Sequence, residues 1–141
     1  MQIREKALQW LSRRDYSARE LVQRLISQYD VHDIEPVLLQ LKEQGLQSDE
    51  RFAQMLVRSR ARKGLGPLRI RSELKQKGVA GLLIDAVMAE SGEDWFDVAR
   101  RCYQKRFRQQ ADDPREQARQ YRFLQYRGFT RDQIQFALHP E

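Results

Sequence analysis

The chain has 141 residues and a formal net charge of +6 at pH 7, and 33% of its residues are charged against 40% that are hydrophobic. This length suits one compact domain or a short array of small units. Four prolines, seven glycines and the near absence of alternating β-branched runs favour amphipathic helices over a sandwich or barrel. A single cysteine excludes a disulfide framework and a cysteine-rich metal site. No apolar run suits a signal sequence or a membrane span, which predicts a cytoplasmic protein.

The first predicted repeat covers residues 1–46 and contains three helices. We predict them over about residues 3–14, from Ser17 onward, and over about residues 32–44. Ser17 and Glu20 match the capping box S-x-x-E, in which each side chain bonds the backbone N–H of the other residue. The helical spacing of apolar residues predicts these buried positions: Ala7, Leu8, Leu11, Leu21, Leu25, Ile34, Val37, Leu38 and Leu41.

The second predicted repeat covers residues 47–92. Its first helix follows the N-cap Ser48 and ends at Gly64, because serine favours helix starts and glycine favours helix ends. Its second helix begins at Pro67, since a first-turn residue needs no amide donor, and it ends at Gly78.

The second repeat also carries the excess of positive charge. Residues 51–92 hold nine Lys or Arg against three Asp or Glu, a net of +6. A solvated face of two helices is one interpretation of such a run. The confinement of the excess to one repeat, and its convergence on the turn between Gly64 and Gly66, favour a binding role. The predicted partner- or DNA-binding residues are Arg58, Arg60, Arg62, Lys63, Arg69, Arg71, Lys75 and Lys77.

The third predicted repeat covers residues 93–141. Its first helix opens near Asp94, and a polar span rich in glutamine and arginine follows that helix. The second helix is expected after Asp113, with a proline in its first turn. Thr130 and Gln133 form another capping box at the start of the third helix.

Equivalent apolar positions recur along the chain. Ala7, Ala53 and Ala99 fall 46 residues apart on the first helices, while Leu25, Leu74 and Leu124 hold one position on the second helices. Internal repetition on this scale is typical of stacked units that mainly contact their neighbours. We therefore predict an all-α monomer of three tandem three-helix repeats that form an elongated, curved array.

Residues that could support catalysis or metal binding occur singly. His32 and His139 have no second ligand at helical spacing, and Cys102 is interpreted as a small buried thiol. The segment 64–66, Gly-Leu-Gly, lacks the preceding strand and the Gly-Lys-Ser/Thr of a phosphate-binding loop. We expect no cofactor, no metal and no enzymatic activity. Four aromatic residues at helical spacing are predicted to belong to the core, namely Trp10, Phe52, Trp95 and Phe123.

Three blocks of the sequence, in order, resemble the RecX family, bacterial proteins that regulate the RecA recombinase. The blocks are LSRRDYSARELVQRL at 11–25, SDERFA through RSRARKGLGPLRIRSELKQKG at 48–78, and FLQYRGF at 123–129. The resemblance covers nearly the whole chain. It implies three tandem three-helix units and a protein without chemistry of its own. It also implies inhibition or modulation of RecA through binding along the recombinase–DNA filament.

Two alternatives belong to other classes of protein. A helix-turn-helix-like DNA-binding protein would need Arg, Lys, Asn or Gln on its third helices to reach base edges. The third helix of the second repeat instead carries Asp85 and Glu90, so only weak, non-specific DNA contact through the second helices is expected. A helical-repeat scaffold without any link to nucleic acid is the other alternative.

Overall fold

The computed structural model describes residues 2–139. Within that range the chain forms nine α-helices and no β-strand, so the all-α prediction is confirmed. The helices are α1 (Ile3–Leu11), α2 (Ala18–Leu25), α3 (Val31–Glu43), α4 (Asp49–Arg62), α5 (Pro67–Gln76), α6 (Gly81–Glu90), α7 (Trp95–Arg106), α8 (Pro114–Tyr126) and α9 (Arg131–Leu138).

Polar side chains begin the helices at the predicted places. Ser17 with Glu20, and Thr130 with Gln133, form complete capping boxes in which each side chain bonds the other residue's N–H. The hydroxyl of Ser48 accepts a hydrogen bond from the backbone at the start of α4. Loss of such a cap typically costs about 1 kcal/mol, so these residues fix the helix boundaries locally.

The first helix ends at Leu11, short of its predicted end near Arg14. The guanidinium carbon of Arg14 lies 3.7 Å from the ring centre of Tyr16. Two nitrogens of the same group donate to the carboxylate of Glu20, both at 3.3 Å. These tertiary contacts of Arg14 override the local helix propensity of the segment.

The repeated apolar positions are buried. Ala7, Ala53, Ala99, Leu74 and Leu124 are 0% exposed, and Leu25 is 1% exposed. Some other residues that we predicted to be buried are only half-buried, and their side chains pack against the edges of the two cores. The half-buried set contains Leu8, Trp10, Leu11, Val37, Trp95 and Phe123.

The described residues divide into two compact units. The first unit contains the residues up to Met55 together with Leu74–Val87, and its core comes from α1, α2 and α3. The second contains Leu56–Glu73 together with the residues from Met88 onward, and its core comes from α7, α8 and α9. The repeat boundaries and the elongated, curved arrangement stay predictions from the sequence.

Within the first compact unit, the turn after α5 lies against the start of α2. Gly78 has a φ of +83°, and a Cβ placed on it would lie 2.8–3.2 Å from three side-chain atoms of Arg19. Arg19 donates to the carbonyl of Gln76 at 3.4 Å. The N–H of Ala18 donates to Oδ1 of Asp49 at 2.9 Å. Side chains therefore make most of this contact, which we call the Arg19–Gly78 junction.

Within the second compact unit, the turn after α8 lies against the start of α5. Gly128 follows Leu124 by four residues, as Gly78 follows Leu74, and Arg69 lies in the first turn of α5 as Arg19 lies in that of α2. Gly128 has a φ of +101°, and a Cβ placed on it would lie 2.4 Å from Cβ of Arg69 and 2.7 Å from its backbone nitrogen. We call this contact the Arg69–Gly128 junction.

Backbone hydrogen bonds hold the Arg69–Gly128 junction. The N–H of Gly66 donates to the carbonyl of Arg127 at 2.8 Å, and the N–H of Leu68 donates to that of Gly128 at 2.9 Å. A Cβ on Gly66 would lie 2.4 Å from both atoms of the Gly128 carbonyl. Glycine at position 66 is therefore required by close approach of two backbones.

Side-chain amides order the span between α7 and α8. The hydroxyl of Tyr103 donates to Oε1 of Gln120 at 3.1 Å, and Nε2 of Gln120 donates to the carbonyl of Gln109 at 3.4 Å. Nε2 of Gln110 donates to the carbonyl of Leu138 at 3.1 Å. Glutamine amides of this span and of α8 thus satisfy carbonyls of the span and of the last residue of α9. None of the helices within residues 2–139 is both long and apolar enough to cross a membrane.

Candidate partner-binding surface

The last turn of α4 presents basic side chains to solvent. Gly64, with a φ of +79°, follows the helix. The N–H of Leu65 donates to the carbonyl of Arg60 at 3.0 Å, as in a Schellman motif. This ending stops the helix while its charged side chains still point outward. The exposed cations here are Arg58, Arg62 and Lys63.

Two of the predicted binding residues are engaged within the fold. Nε and Nη2 of Arg60 donate to the two carboxylate oxygens of Glu73 at 2.9 and 2.7 Å, a bidentate pair that joins α4 to α5. In the first compact unit, Nζ of Lys77 lies 3.1 Å from Oε2 of Glu20. Their charges are therefore partly neutralised by these carboxylates.

The carboxylate of Glu20 has three partners within the first compact unit, namely Arg14, the N–H of Ser17 and Lys77. Burial by itself raises its pKa, but hydrogen bonds from Arg14, the Ser17 amide and Lys77 outweigh burial, so the pKa lies below its usual value. The side chain therefore stays ionised, which keeps Lys77 attracted to it.

The other predicted residues differ in exposure. Arg69 and Lys75 are exposed, whereas Arg71 is half-buried. The guanidinium carbon of Arg69 lies 5.3 Å from the ring centre of Tyr126, whose side chain is 77% exposed. Arg58 and Arg62 border one depression of the second compact unit together with Arg101. Lys75 and Lys77 belong to the first compact unit.

The second compact unit also contains a basic cleft of about 320 Å³ between the end of α4, one face of α7 and the end of α8. We call it the α4–α7–α8 cleft. Its cations are Arg62, Lys63, Arg101, Lys105, Arg106 and Arg127, and its less polar lining includes Ala61, Val98, Cys102 and Phe123. Among the described residues, no acidic side chain lines this cleft.

Four cations of the cleft come from the third repeat and were missed by the sequence analysis. A signal for two of them exists on α7. Val98 and Cys102 are four residues apart and buried, while Arg101 and Lys105 repeat the same interval and are exposed. Residues four apart lie on the same side of a helix. The pattern therefore indicates a basic row beside an apolar row, although not that α4 lies opposite.

Arg127 links α8 to the end of α4. Its Nη2 donates to the carbonyl of Lys63 at 2.6 Å. Its Nε is buried without a hydrogen-bond partner in the described part of the chain. An unpaired buried N–H is unfavourable, and a partly desolvated cation attracts anions more strongly than a fully hydrated one. Arg127 therefore contributes both to the wall of the cleft and to its positive potential.

The cleft offers anion binding rather than nucleophilic chemistry. Burial raises the pKa of the Cys102 thiol more than the nearby Arg127 and Lys105 lower it, so the group stays a thiol. Across residues 2–139 there is no cluster of three or more side chains suited to a metal ion. His32 is exposed, and Nδ1 of His139 lies 3.1 Å from the amide nitrogen of Gln110.

Comparison with known proteins gives one consistent family. Models of the first, second and third three-helix domains of RecX match residues 4–41, 48–88 and 92–138. A "Regulatory protein RecX" of Vibrio campbellii is 46% identical over 140 residues, covering 98% of this chain and 90% of the relative. That of Halorhodospira halophila is 44% identical over 137 residues, covering 96% of this chain and 85% of the relative.

Solved structures agree on the fold. A crystal structure of regulatory protein RecX has a TM-score of 0.80 at 23% identity, covering 99% of this chain and 72% of the other. The crystal structure of RecX from Lactobacillus salivarius has a TM-score of 0.77 at 20% identity, covering 96% of this chain and 91% of the other.

Proposed function

This chain belongs to the RecX family, and we propose that it regulates the RecA recombinase by binding along the RecA–DNA filament. The regulation would suppress the recombination, ATPase and SOS-related activities of the filament. The observation that carries this proposal is the 46% identity to a regulatory protein RecX over 98% of the chain. The relatives are named as regulators, which supports a cytoplasmic protein that acts by binding and has no catalytic step of its own.

The charge distribution gives the proposal a contact surface. A RecA–DNA filament presents phosphates and acidic side chains, and both attract Lys and Arg. The exposed cations Arg58, Arg62, Lys63, Arg69 and Lys75 suit this role. Arg60 and Lys77 would contribute less, because each already contacts a carboxylate.

A helix-turn-helix-like DNA-binding protein is the second candidate, and the third helices argue against it. Base readout needs polar or basic side chains on the helix that enters the major groove. On α6 the most exposed large side chain is Leu82, which is 86% exposed, and the charged residues are Asp85 and Glu90. Such a helix would repel phosphates. Weak, non-specific DNA contact through other basic residues remains compatible with the regulator.

The test uses DNA-stimulated ATP hydrolysis by preformed RecA filaments. We expect the protein, added at fewer than one copy per RecA protomer, to reduce hydrolysis by more than the fraction of protomers it can occupy. Filaments with additional single-stranded DNA serve as a control for simple competition. No reduction, or a reduction that extra DNA abolishes, would overturn the proposal. A footprint on one defined operator that persists at high salt would favour the second candidate instead.

A further inference from the structure

We propose that the α4–α7–α8 cleft is a docking site for an acidic peptide segment that carries one apolar side chain. The segment would be supplied by the protein partner, so the inference rests on the proposed function for the partner's identity. The chemistry of the segment follows from the cleft alone.

The charge of the cleft defines the first requirement. Arg62, Lys63 and Lys105 are exposed and have no carboxylate partner within residues 2–139. Among the carboxylates of the described residues, Arg101 pairs with that of Asp97 on its own helix, at 2.9 Å, and this exposed pair exchanges readily for another carboxylate. Cations stand on all three borders of the cleft, so an occupant with several anionic groups would be complementary to it.

The lining defines the second requirement. The less polar part of the lining consists of Ala61, Val98, Cys102 and the half-buried ring of Phe123. A volume of about 320 Å³ is at the small end of ligand pockets. An apolar side chain placed against these residues would displace water from apolar surface, which is favourable. A purely anionic occupant would leave this gain unused.

The cleft lacks what a nucleic-acid strand uses. Proteins that hold single strands stack the bases on exposed aromatic faces. Phe123 is the aromatic residue that lines the cleft within the described chain. The guanidinium carbons of Arg106 and Arg127 lie 5.5 and 5.9 Å from its ring centre, and Phe107 meets it edge to face at 5.4 Å. This ring is occupied by its neighbours, and a duplex backbone would cover only the cations, so a peptide fits better.

The experiment measures binding of a short fluorescent peptide of Glu and Asp with one central Phe, and of the same peptide with Ser in place of Phe. We expect the Phe peptide to bind about tenfold more tightly than the Ser peptide. Lys105→Glu should weaken binding of the Phe peptide by about tenfold or more. Arg122→Glu is the matched control, because Arg122 is exposed on α8 outside the cleft, and it should change affinity by less than about twofold. Lys105→Gln replaces Lys105→Glu if the reversal lowers thermal stability.

The single thiol reports where the peptide lies. Cys102 lines the cleft, so the Phe peptide should slow its modification by a thiol reagent at least about fivefold at saturation. Equal affinity of the two peptides, equal effects of Lys105→Glu and Arg122→Glu, or an unprotected thiol would each overturn the proposal. Protection by an oligonucleotide alone would reassign the cleft to nucleic acid. RecA is absent from these measurements, so the two proposals can fail separately. If the peptide does not bind but the protein still inhibits the RecA filament, only the cleft proposal is overturned. If the peptide binds but the protein does not inhibit the filament, only the proposed function is overturned.

Discussion

Each junction places the turn after one repeat's second helix against the start of the preceding repeat's second helix, yet different atoms hold the two junctions together. At the Arg19–Gly78 junction, the N–H of Ala18 is satisfied by the side chain of Asp49 at 2.9 Å. At the Arg69–Gly128 junction, the N–H of Leu68 is satisfied by the backbone carbonyl of Gly128 at 2.9 Å. The first junction is therefore open to adjustment by side chains, whereas the second is fixed by the backbone.

The residues that precede the two junction glycines, Lys77 and Arg127, also differ in whether a carboxylate neutralises their charge. Lys77 precedes Gly78 and contacts Glu20. Arg127 precedes Gly128, but the position that corresponds to Glu20, five residues before the shared leucine of the second helix, is Arg69. Arg127 therefore meets no carboxylate at that position, and it donates to the carbonyl of Lys63 just after α4 and lines the cleft instead. The difference between the repeats at this one position thus separates a lysine that is paired with a carboxylate from an arginine that lines a basic cleft.

Gly128→Ala should have the largest effect on stability. A Cβ there would lie 2.4 Å from Cβ of Arg69, at a φ of +101°. Backbone strain and overpacking together predict a loss of roughly 2–6 kcal/mol in the free energy of unfolding. Denaturant titration of wild type and variant measures it. A loss below about 1 kcal/mol would mean that the Arg69–Gly128 junction adjusts as easily as a side-chain contact.

Gly78→Ala should cost less, roughly 1–3 kcal/mol. Its φ of +83° disfavours alanine, but the closest atoms are Nε of Arg19 at 2.8 Å and Cβ of Arg19 at 2.9 Å, a smaller overlap than the 2.4 Å approach at Gly128. A flexible side chain can move aside, whereas the backbone cannot. The same denaturant titration applies, with Arg19→Ala/Gly78→Ala as the control that removes the contacts with Nε and Cδ of Arg19 and keeps the one with its Cβ. A cost as large as that of Gly128→Ala would contradict the distinction between the two junctions.

Glu20→Gln should make the smallest change in stability, with a pH dependence that identifies its cause. Glutamine preserves the capping box but loses the charge that attracts Arg14 and Lys77, so we expect a loss of roughly 1 kcal/mol at pH 7. The folded-state pKa of Glu20 lies below the usual 4.5. The stabilisation is therefore complete above that value and disappears as the pH falls below it.

Measurement of the free energy of unfolding at pH 7 and pH 3 tests the origin of this contribution. Wild type and Glu20→Gln should differ at pH 7 and converge toward pH 3. A difference that is constant with pH would assign the effect to packing rather than charge.

Local features of the fold could be predicted from the sequence, and features that depend on tertiary approach could not. Ser17, Pro67 and Thr130 mark helix starts because capping depends on residues within one turn. The early end of α1 depends on where the side chain of Arg14 finds Glu20, a contact outside the helix. The order of the glutamine-rich span was unpredictable for the same reason, since its partners are distant carbonyls.

The candidate binding surface also has features that the sequence could predict and features that depend on tertiary contacts. Charge counting located Arg58 and Arg62 on α4 and Lys63 directly after it, all of which are exposed. It could not reveal that Arg60 contacts Glu73, because thirteen residues and a turn separate the pair. Charge counting also could not show that α7 and α8 lie beside the end of α4, so the cleft could be recognised only in the three-dimensional structure. The role of all these residues in binding stays a prediction.

The most direct test of the central claim, that the basic face of the second compact unit acts on the recombinase, is a matched charge reversal. Arg58→Glu/Arg62→Glu changes exposed cations of that unit, and Arg13→Glu/Lys42→Glu changes two exposed cations of the first unit by the same charge. Each variant is first shown to have the thermal stability of wild type. It is then added at increasing concentration to RecA filaments while ATP hydrolysis is measured. We predict that the concentration needed for half-inhibition is about tenfold or more higher for Arg58→Glu/Arg62→Glu than for wild type. For the control it should be less than about twofold higher than for wild type. Identical inhibition by both variants and wild type would contradict the account.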